Sequence, residues 1–201
     1  MKILQREQGF ALLITLVVVG VVLAVGLSIL DLSIKQVRLS SNAKDSEVSF
    51  HAANAGMECA RYVRRVNSNK MEIGEDITPD CFGSTAAVTS GNQLPNSGAG
   101  MHISAGDGEA FLYTYEIGWG SPADRCTRVD TLVASTSITS ASDLQIDNVS
   151  SALPGFPDAS KKCEPGARCT VISVRGYNKS CAALGAGSTY GIVEREVLLQ
   201  F

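Results

Sequence analysis

The chain reads as an α+β protein: a long N-terminal α-helix whose first half spans a membrane, followed by a C-terminal head built on an antiparallel β-sheet. Three observations carry this reading. Residues 10–30 are apolar and hold no charge. Residues 31–66 contain no proline and keep an apolar stripe at helical spacing. Beyond residue 108, short alternating or β-branched runs are separated by turn residues, the pattern of strands that follow a helix rather than alternate with helices.

The apolar run comes first. At ~1.5 Å rise per residue, residues 10–30 form roughly 31 Å of helix. The hydrocarbon core of a bilayer is roughly 30 Å thick. Lys2 and Arg6 precede the run and favour the cytoplasm for the N-terminus, while Lys35 and Arg38 after it weaken that bias. A long C-terminal domain translocates regardless of such charges, which places the head outside the cytoplasm. Gly20 and Gly26 interrupt the run. Each costs helix stability by about 1 kcal/mol relative to alanine, and glycine is common in membrane helices.

The helix is expected to continue through residues 31–66. Val48, Ala52, Ala55, Cys59, Tyr62 and Val66 recur at steps of three or four and form one stripe, read as contact with the sheet of the head. Lys44, Asp45, Glu47, Glu58, Arg61 and Arg65 lie opposite. A continuous helix over residues 10–66 would be roughly 85 Å long.

The head occupies residues 67–201. Residues 67–108 are rich in Ser, Asn, Gly and Thr and read as a long irregular loop, with turns at Thr78-Pro79-Asp80 and Ser97-Gly98-Ala99-Gly100. Phe111, Tyr113, Tyr115 and Ile117 alternate within a strand at 110–118. Residues 128–138, 169–175 and 190–201 give three more strands. In the last, Val193, Val197, Leu199 and Phe201 share a face that Arg195 interrupts. A total of 201 residues suits one membrane helix and one head, and 17 basic against 20 acidic residues excludes a polycation that wraps nucleic acid.

Cys59, Cys81, Cys126, Cys163, Cys169 and Cys181 all follow the apolar run. An even number on one side of a membrane reads as disulfides in an oxidising compartment. Zinc wants short paired spacings, and the closest pair, Cys163 and Cys169, has five residues between its members and no nearby His. Six cysteines allow about 15 pairings. The expected set is Cys59 with Cys81, tying helix to loop; Cys169 with Cys181, closing a turn at Gly176-Tyr177-Asn178; and Cys126 with Cys163. Each stabilises by about 2–4 kcal/mol.

No catalytic constellation is present, and no enzyme activity, cofactor or metal is expected. His51 and His102 stand apart from any catalytic spacing. Asp107-Gly108-Glu109 and residues 143–147 lack the spacing of a calcium loop and read as solvated loop acids. Gly185-Ala186-Gly187 is a lone flexible turn, not a phosphate cradle. Arg61, Arg64, Arg65 and Lys70 form a basic cluster without interleaved aromatics, read as a solvated helix face, so nucleic acid is not an expected partner.

Three fates compete for the N-terminus. A secretory signal would be cut at Ala24-Val25-Gly26, but Leu27, Ile29, Leu30, Leu32 and Ile34 continue the apolar character beyond that point. An uncleaved anchor keeps residues 1–9. The third fate follows from the charged leader Gln5-Arg6-Glu7-Gln8-Gly9 running directly into Phe10-Ala11-Leu12-Leu13-Ile14. This order resembles the class III signal of type IV prepilins. The segment 50–62, with its small residues Ala52-Ala53-Asn54-Ala55-Gly56, is similar to a stretch of PilX-type minor pilins.

The resemblance implies a pilin-like fold and several specific properties. Residues 1–9 are a leader, a membrane prepilin peptidase cuts between Gly9 and Phe10, and Phe10 is N-methylated. Removing Lys2, Arg6 and Glu7 from 17 basic and 20 acidic residues leaves 15 and 19. Other pilin subunits, the pilus assembly platform and membrane lipid are the implied partners, and an extracellular filament the destination. Most pilins carry a glutamate at the fifth mature position, where this chain has Ile14. That glutamate pairs with the N-terminal ammonium of a neighbour. A subunit without it suits an initiating or tip position, because burying an unpaired charge is costly. By the resemblance, some minor subunits share this departure, including tip-located pseudopilins of type II secretion and PilX-type minor pilins. The alternative is a single-pass, membrane-anchored binding module with no filament role.

Overall fold

A computed structural model describes residues 4–81, 83–120, 122–186 and 190–201. The first leader residues, with Lys2, and Gly187 of the expected glycine turn lie outside them. The chain divides into two units, Met1–Lys44 and Asp45–Phe201.

Helix α1 is unbroken over Leu4–Val66 and so belongs to both units. It begins earlier than the apolar run. Gln5 to Gln8 are good helix formers, and a single glycine at position 9 is too weak a breaker to stop propagation.

The second unit is α+β, as expected. After the short helix α2 (Ser68–Met71) come β1 (Asp80–Cys81), β2 (Ser84–Thr85), β3 (Asn92–Gln93), β4 (His102–Ala105), β5 (Gly108–Trp119), β6 (Arg125–Thr136), β7 (Leu144–Asp147), β8 (Ser160–Cys163), β9 (Arg168–Tyr177), α3 (Cys181–Gly185) and β10 (Glu194–Gln200). The main sheet has the order β10-β9-β6-β5-β3 and every pairing in it is antiparallel. A second sheet has the order β4-β7-β8.

Each face of the main sheet carries its own core. On one face, Phe111, Tyr113, Tyr115 and Ile117 of β5 pack with Val129, Val133, Ile172 and Val174 and with Met57, Cys59, Ala60 and Val63 of α1. On the other, Leu132, Ala134 and Val171 pack with Leu144 and Ile146 of β7, Ile103 of β4, Leu153 and Phe156. The central strand β6 is consequently buried over nearly its whole length rather than at alternate positions.

Several sequence-based expectations need correction. Residues 67–108 are not wholly irregular: α2 and β1 to β4 lie within them. Residues 143–147 are not a solvated acidic loop. They contain β7, whose Leu144 and Ile146 are fully buried while Gln145 and Asp147 face outward. Gly185 closes α3 instead of forming a loose turn. The buried face of α1 is also displaced from the expected stripe. It comprises Ser49, Ala52, Ala53, Gly56, Met57, Cys59, Ala60, Val63 and Arg64, while Tyr62 and Val66 are exposed. The displacement has a steric cause. A Cβ at Gly176 of β9 would lie 2.2 Å from the Ala53 nitrogen and the Ser49 oxygen, so the small residues Ser49, Ala52 and Ala53 face the strand at this point. At Gly56 a Cβ would lie 2.2 Å from Thr127 Cγ2.

Polar groups fasten the same seam. Thr127 Oγ1 donates to the Ala52 carbonyl (2.9 Å) and accepts from Trp119 Nε1 (2.7 Å). Ser49 Oγ reaches the Val193 carbonyl at 2.8 Å. Arg195, the expected flaw in the apolar face of β10, donates to Ser46 Oγ from Nε and Nη2 at 2.9 and 2.7 Å.

Cys59 bonds Cys81, the expected bridge. The other two expected bridges do not form: Cys126 bonds Cys181 and Cys163 bonds Cys169. Strand register is the reason. Gly176 and Tyr177 belong to β9 instead of a turn, so Cys169 and Cys181 lie at opposite ends of that strand. Cys126 pairs with Tyr177, at the end where Cys181 begins α3. Cys163 ends β8 and Cys169 opens β9 only a short turn later.

The tyrosines of the core make a pH prediction. Burial raises the Tyr113 phenol from 10.0 to about 12, assisted by the charges of Asp76 and Glu75. Burial, then a hydrogen bond with Glu194, raises Tyr177 to about 12, and burial raises Tyr115 as well. A phenol whose folded pKa is raised contributes stability that is full below the unfolded value and is lost as pH rises through the folded one. The head is therefore expected to lose stability between pH 10.0 and about 12. Tyrosinate absorbance and near-ultraviolet circular dichroism followed together check this. Ionisation of all five tyrosines with no loss of the tertiary signal would contradict it.

Candidate functional site

Two regions have the anatomy of functional surfaces, one in each unit. In the first unit, Phe10 to Leu30 is helical, uncharged and exposed along its length. The helix is long and apolar enough to cross a membrane, with a mean hydropathy of 3.0 in its best window and none of that window buried within the protein. Among the described residues, one helix thus has the length and composition of a single membrane span.

The two hydroxyl side chains in this run are satisfied within the helix. Thr15 Oγ1 donates to the Leu12 carbonyl and Ser28 Oγ to the Ala24 carbonyl, both at 2.9 Å. Ser33, just beyond, donates to the Ile29 carbonyl at 2.9 Å. Such back-bonding removes the polar groups that hydrocarbon would otherwise leave unsatisfied. Gly9 and Phe10, the residues of the expected cleavage, lie in the same unbroken helical backbone, and Ile14 is exposed one turn beyond Phe10. A cut at Ala24-Val25-Gly26 would fall within the helix too.

In the second unit, a groove of about 1090 Å³ opens between the last turns of α1, the Asp80–Cys81 segment, the start of β9 and the end of β10. The Cys59–Cys81 disulfide crosses its wall. Its floor is an ionic network. Arg64, 6 % exposed, donates from Nε to Thr170 Oγ1 (3.1 Å) and from Nη2 to Glu72 Oε1 (3.0 Å). The second Glu72 oxygen lies 3.3 Å from Arg168 Nε. A buried guanidinium needs such pairing, since an unpaired buried charge is strongly unfavourable. At the lip, Arg61 pairs with Glu58 at 3.1 Å in the open, a contact worth little by itself. Arg65 is exposed and makes no ion pair or side-chain hydrogen bond among the described residues. Tyr62 and Phe201 supply apolar walls and are 50 and 60 % exposed.

The basic cluster anticipated from sequence is thus partly assembled and partly not. Arg61, Arg64 and Arg65 line the groove, but Arg64 is a buried structural cation rather than part of a solvated face. Lys70 sits apart on α2. Glu72 and Arg168, which complete the floor, carried no sequence signal, because only folding brings 64, 72 and 168 together.

The other sequence candidates stay separate. His51 faces Glu47 at 3.7 Å on the exposed side of α1. His102 Nδ1 lies 2.9 Å from the Gly100 carbonyl. Asp107 and Glu109 are exposed. Hydrogen bonds from Gln145 and Ser104 hold Asp147 below the usual carboxylate range. Glu116, Cys126 and Cys181 come close enough together to suggest a metal site, but both sulfurs are engaged in one disulfide and offer no thiolate.

No protein-family model, curated protein or solved structure matches this chain.

Proposed function

We propose that the chain is a minor pilin or pseudopilin, a structural subunit of a type IV pilus or type II secretion-like filament that assembles through its N-terminal helix. The observation that carries this reading is the order of its N-terminus. A short charged leader ends at Gly9, and the uncharged apolar stretch starts at Phe10 within the same unbroken helix, which continues to the residues that pack on the sheet of the head. A signal meant to be discarded has no need of that continuity. Cleavage before the apolar segment would leave the helix on the product as both membrane anchor and assembly element.

On this reading the chain is a single-pass membrane protein with its N-terminus cytoplasmic and its head outside, and it joins a filament after processing. Prepilin peptidase, the assembly platform, other subunits and lipid are its partners. Three disulfides fit an oxidising compartment for the head. Ile14 fits a place with no preceding neighbour, at an initiating or tip complex. No catalytic role is assigned to any residue.

The test is the intact mass and N-terminal sequence of the native protein extracted from membranes. The expected product starts at N-methylated Phe10. A product starting at Met1 would leave a plain membrane anchor, and one starting at Leu27 an ordinary secreted domain. Either would overturn the proposal.

A further inference from the structure

We propose that the groove beside the Cys59–Cys81 disulfide is a docking site for an extended acidic peptide segment, one that carries a carboxylate next to an aromatic or aliphatic side chain. The inference concerns the head alone and holds whether or not the chain enters a filament.

Charge and shape argue for that occupant. Three guanidinium groups on the groove are already committed: Arg64 and Arg168 share Glu72, and Arg61 leans on Glu58. One carboxylate shared between two guanidiniums leaves the floor with a surplus of positive charge. Arg65 adds a further cation at the lip, where it makes no ion pair among the described residues. Asp80 stands on the opposite wall. The positive side is therefore the one built from α1 and the start of β9, and a planar guanidinium fork there matches a carboxylate.

Tyr62 and Phe201 flank the same space as large side chains left half-exposed. Tyrosine and arginine together are the side chains that most often carry recognition energy at interfaces. The volume of about 1090 Å³ takes several peptide residues rather than one small ion. The disulfide ties α1 to the Asp80–Cys81 segment, and the Arg64–Glu72–Thr170 network ties α1 to β9, so the backbone on these sides is held together before binding.

The test uses the full chain in nonionic detergent micelles and three fluorescein-labelled peptides: Gly-Glu-Phe-Glu-Leu-Gly, its Lys-for-Glu counterpart, and a counterpart with Ala for Phe and Leu. Fluorescence anisotropy is expected to show saturable binding of the first peptide, about tenfold weaker binding of each counterpart, and loss of affinity with added salt. Arg65→Glu is expected to weaken the first peptide by about tenfold and to narrow its advantage over the lysine peptide. Arg65 is exposed and makes no ion pair among the described residues, so this variant is expected to leave the fold intact, which unchanged near-ultraviolet circular dichroism verifies. No binding of the acidic peptide up to ~1 mM, equal binding of acidic and basic peptides, or an affinity untouched by Arg65→Glu overturns the proposal.

Discussion

Gly176→Ala is expected to destabilise the head by about 3 kcal/mol, at the upper end for an overpacked contact. The added methyl would sit 2.2 Å from two backbone atoms of α1, the Ala53 nitrogen and the Ser49 oxygen. Backbone cannot rotate aside as a side chain can. The helix must lift from β9, and with it go the Thr127–Ala52 and Ser49–Val193 hydrogen bonds. For a unit of this size, that loss lowers the thermal midpoint by roughly 6–12 °C. Near-ultraviolet circular dichroism of the detergent-extracted chain measures it. Gly100→Ala is the control, because a Cβ there meets nothing within 4 Å and its midpoint should stay put. Equal midpoints for the two variants would sink the argument that the seam depends on backbone contact.

Removing the disulfides one at a time is expected to give a ranked series. The loops they close span 55 residues for Cys126–Cys181, 22 for Cys59–Cys81 and 6 for Cys163–Cys169. Loop-closure entropy alone then assigns them about 4, 3 and 2 kcal/mol. Paired Cys→Ala variants, compared by urea midpoint, should fall in that order. The Cys126–Cys181 variant has the most to lose, since that bridge also holds α3 against the start of β6. A Cys163–Cys169 variant less stable than the Cys126–Cys181 variant would show that local packing around β8, not loop length, sets the ranking.

The parts of this fold that were legible from sequence are those with strong periodicity. The uncharged run, the proline-free continuation of α1 and the alternation of Phe111, Tyr113, Tyr115 and Ile117 each specify an element locally. The second sheet was illegible because its strands are short and half polar: Ser160-Lys161-Lys162-Cys163 resembles a loop until a partner pairs with it. Acids around Leu144 and Ile146 hid the alternation there. The helix face was misjudged by about one position because Ser49 and Gly56 count as polar or neutral in a pattern, yet they are buried where smallness matters more than hydrophobicity. Disulfide pairing and the groove depend on register, which places Cys126 near Cys181 and Arg168 near Arg64 across long stretches of chain.

The hydroxyls of Thr15 and Ser28 have a consequence for movement. Each proton is already spent on a carbonyl of the same helix, so the segment offers its surroundings no side-chain hydrogen-bond donor from any azimuth. Leaving lipid for the flank of another helix would exchange one set of dispersion contacts for another, with no polar bond to break at departure and none to reform on arrival. The apolar segment is free to spin about its axis and to change neighbours at low cost, and any preferred orientation has to be imposed from beyond its ends.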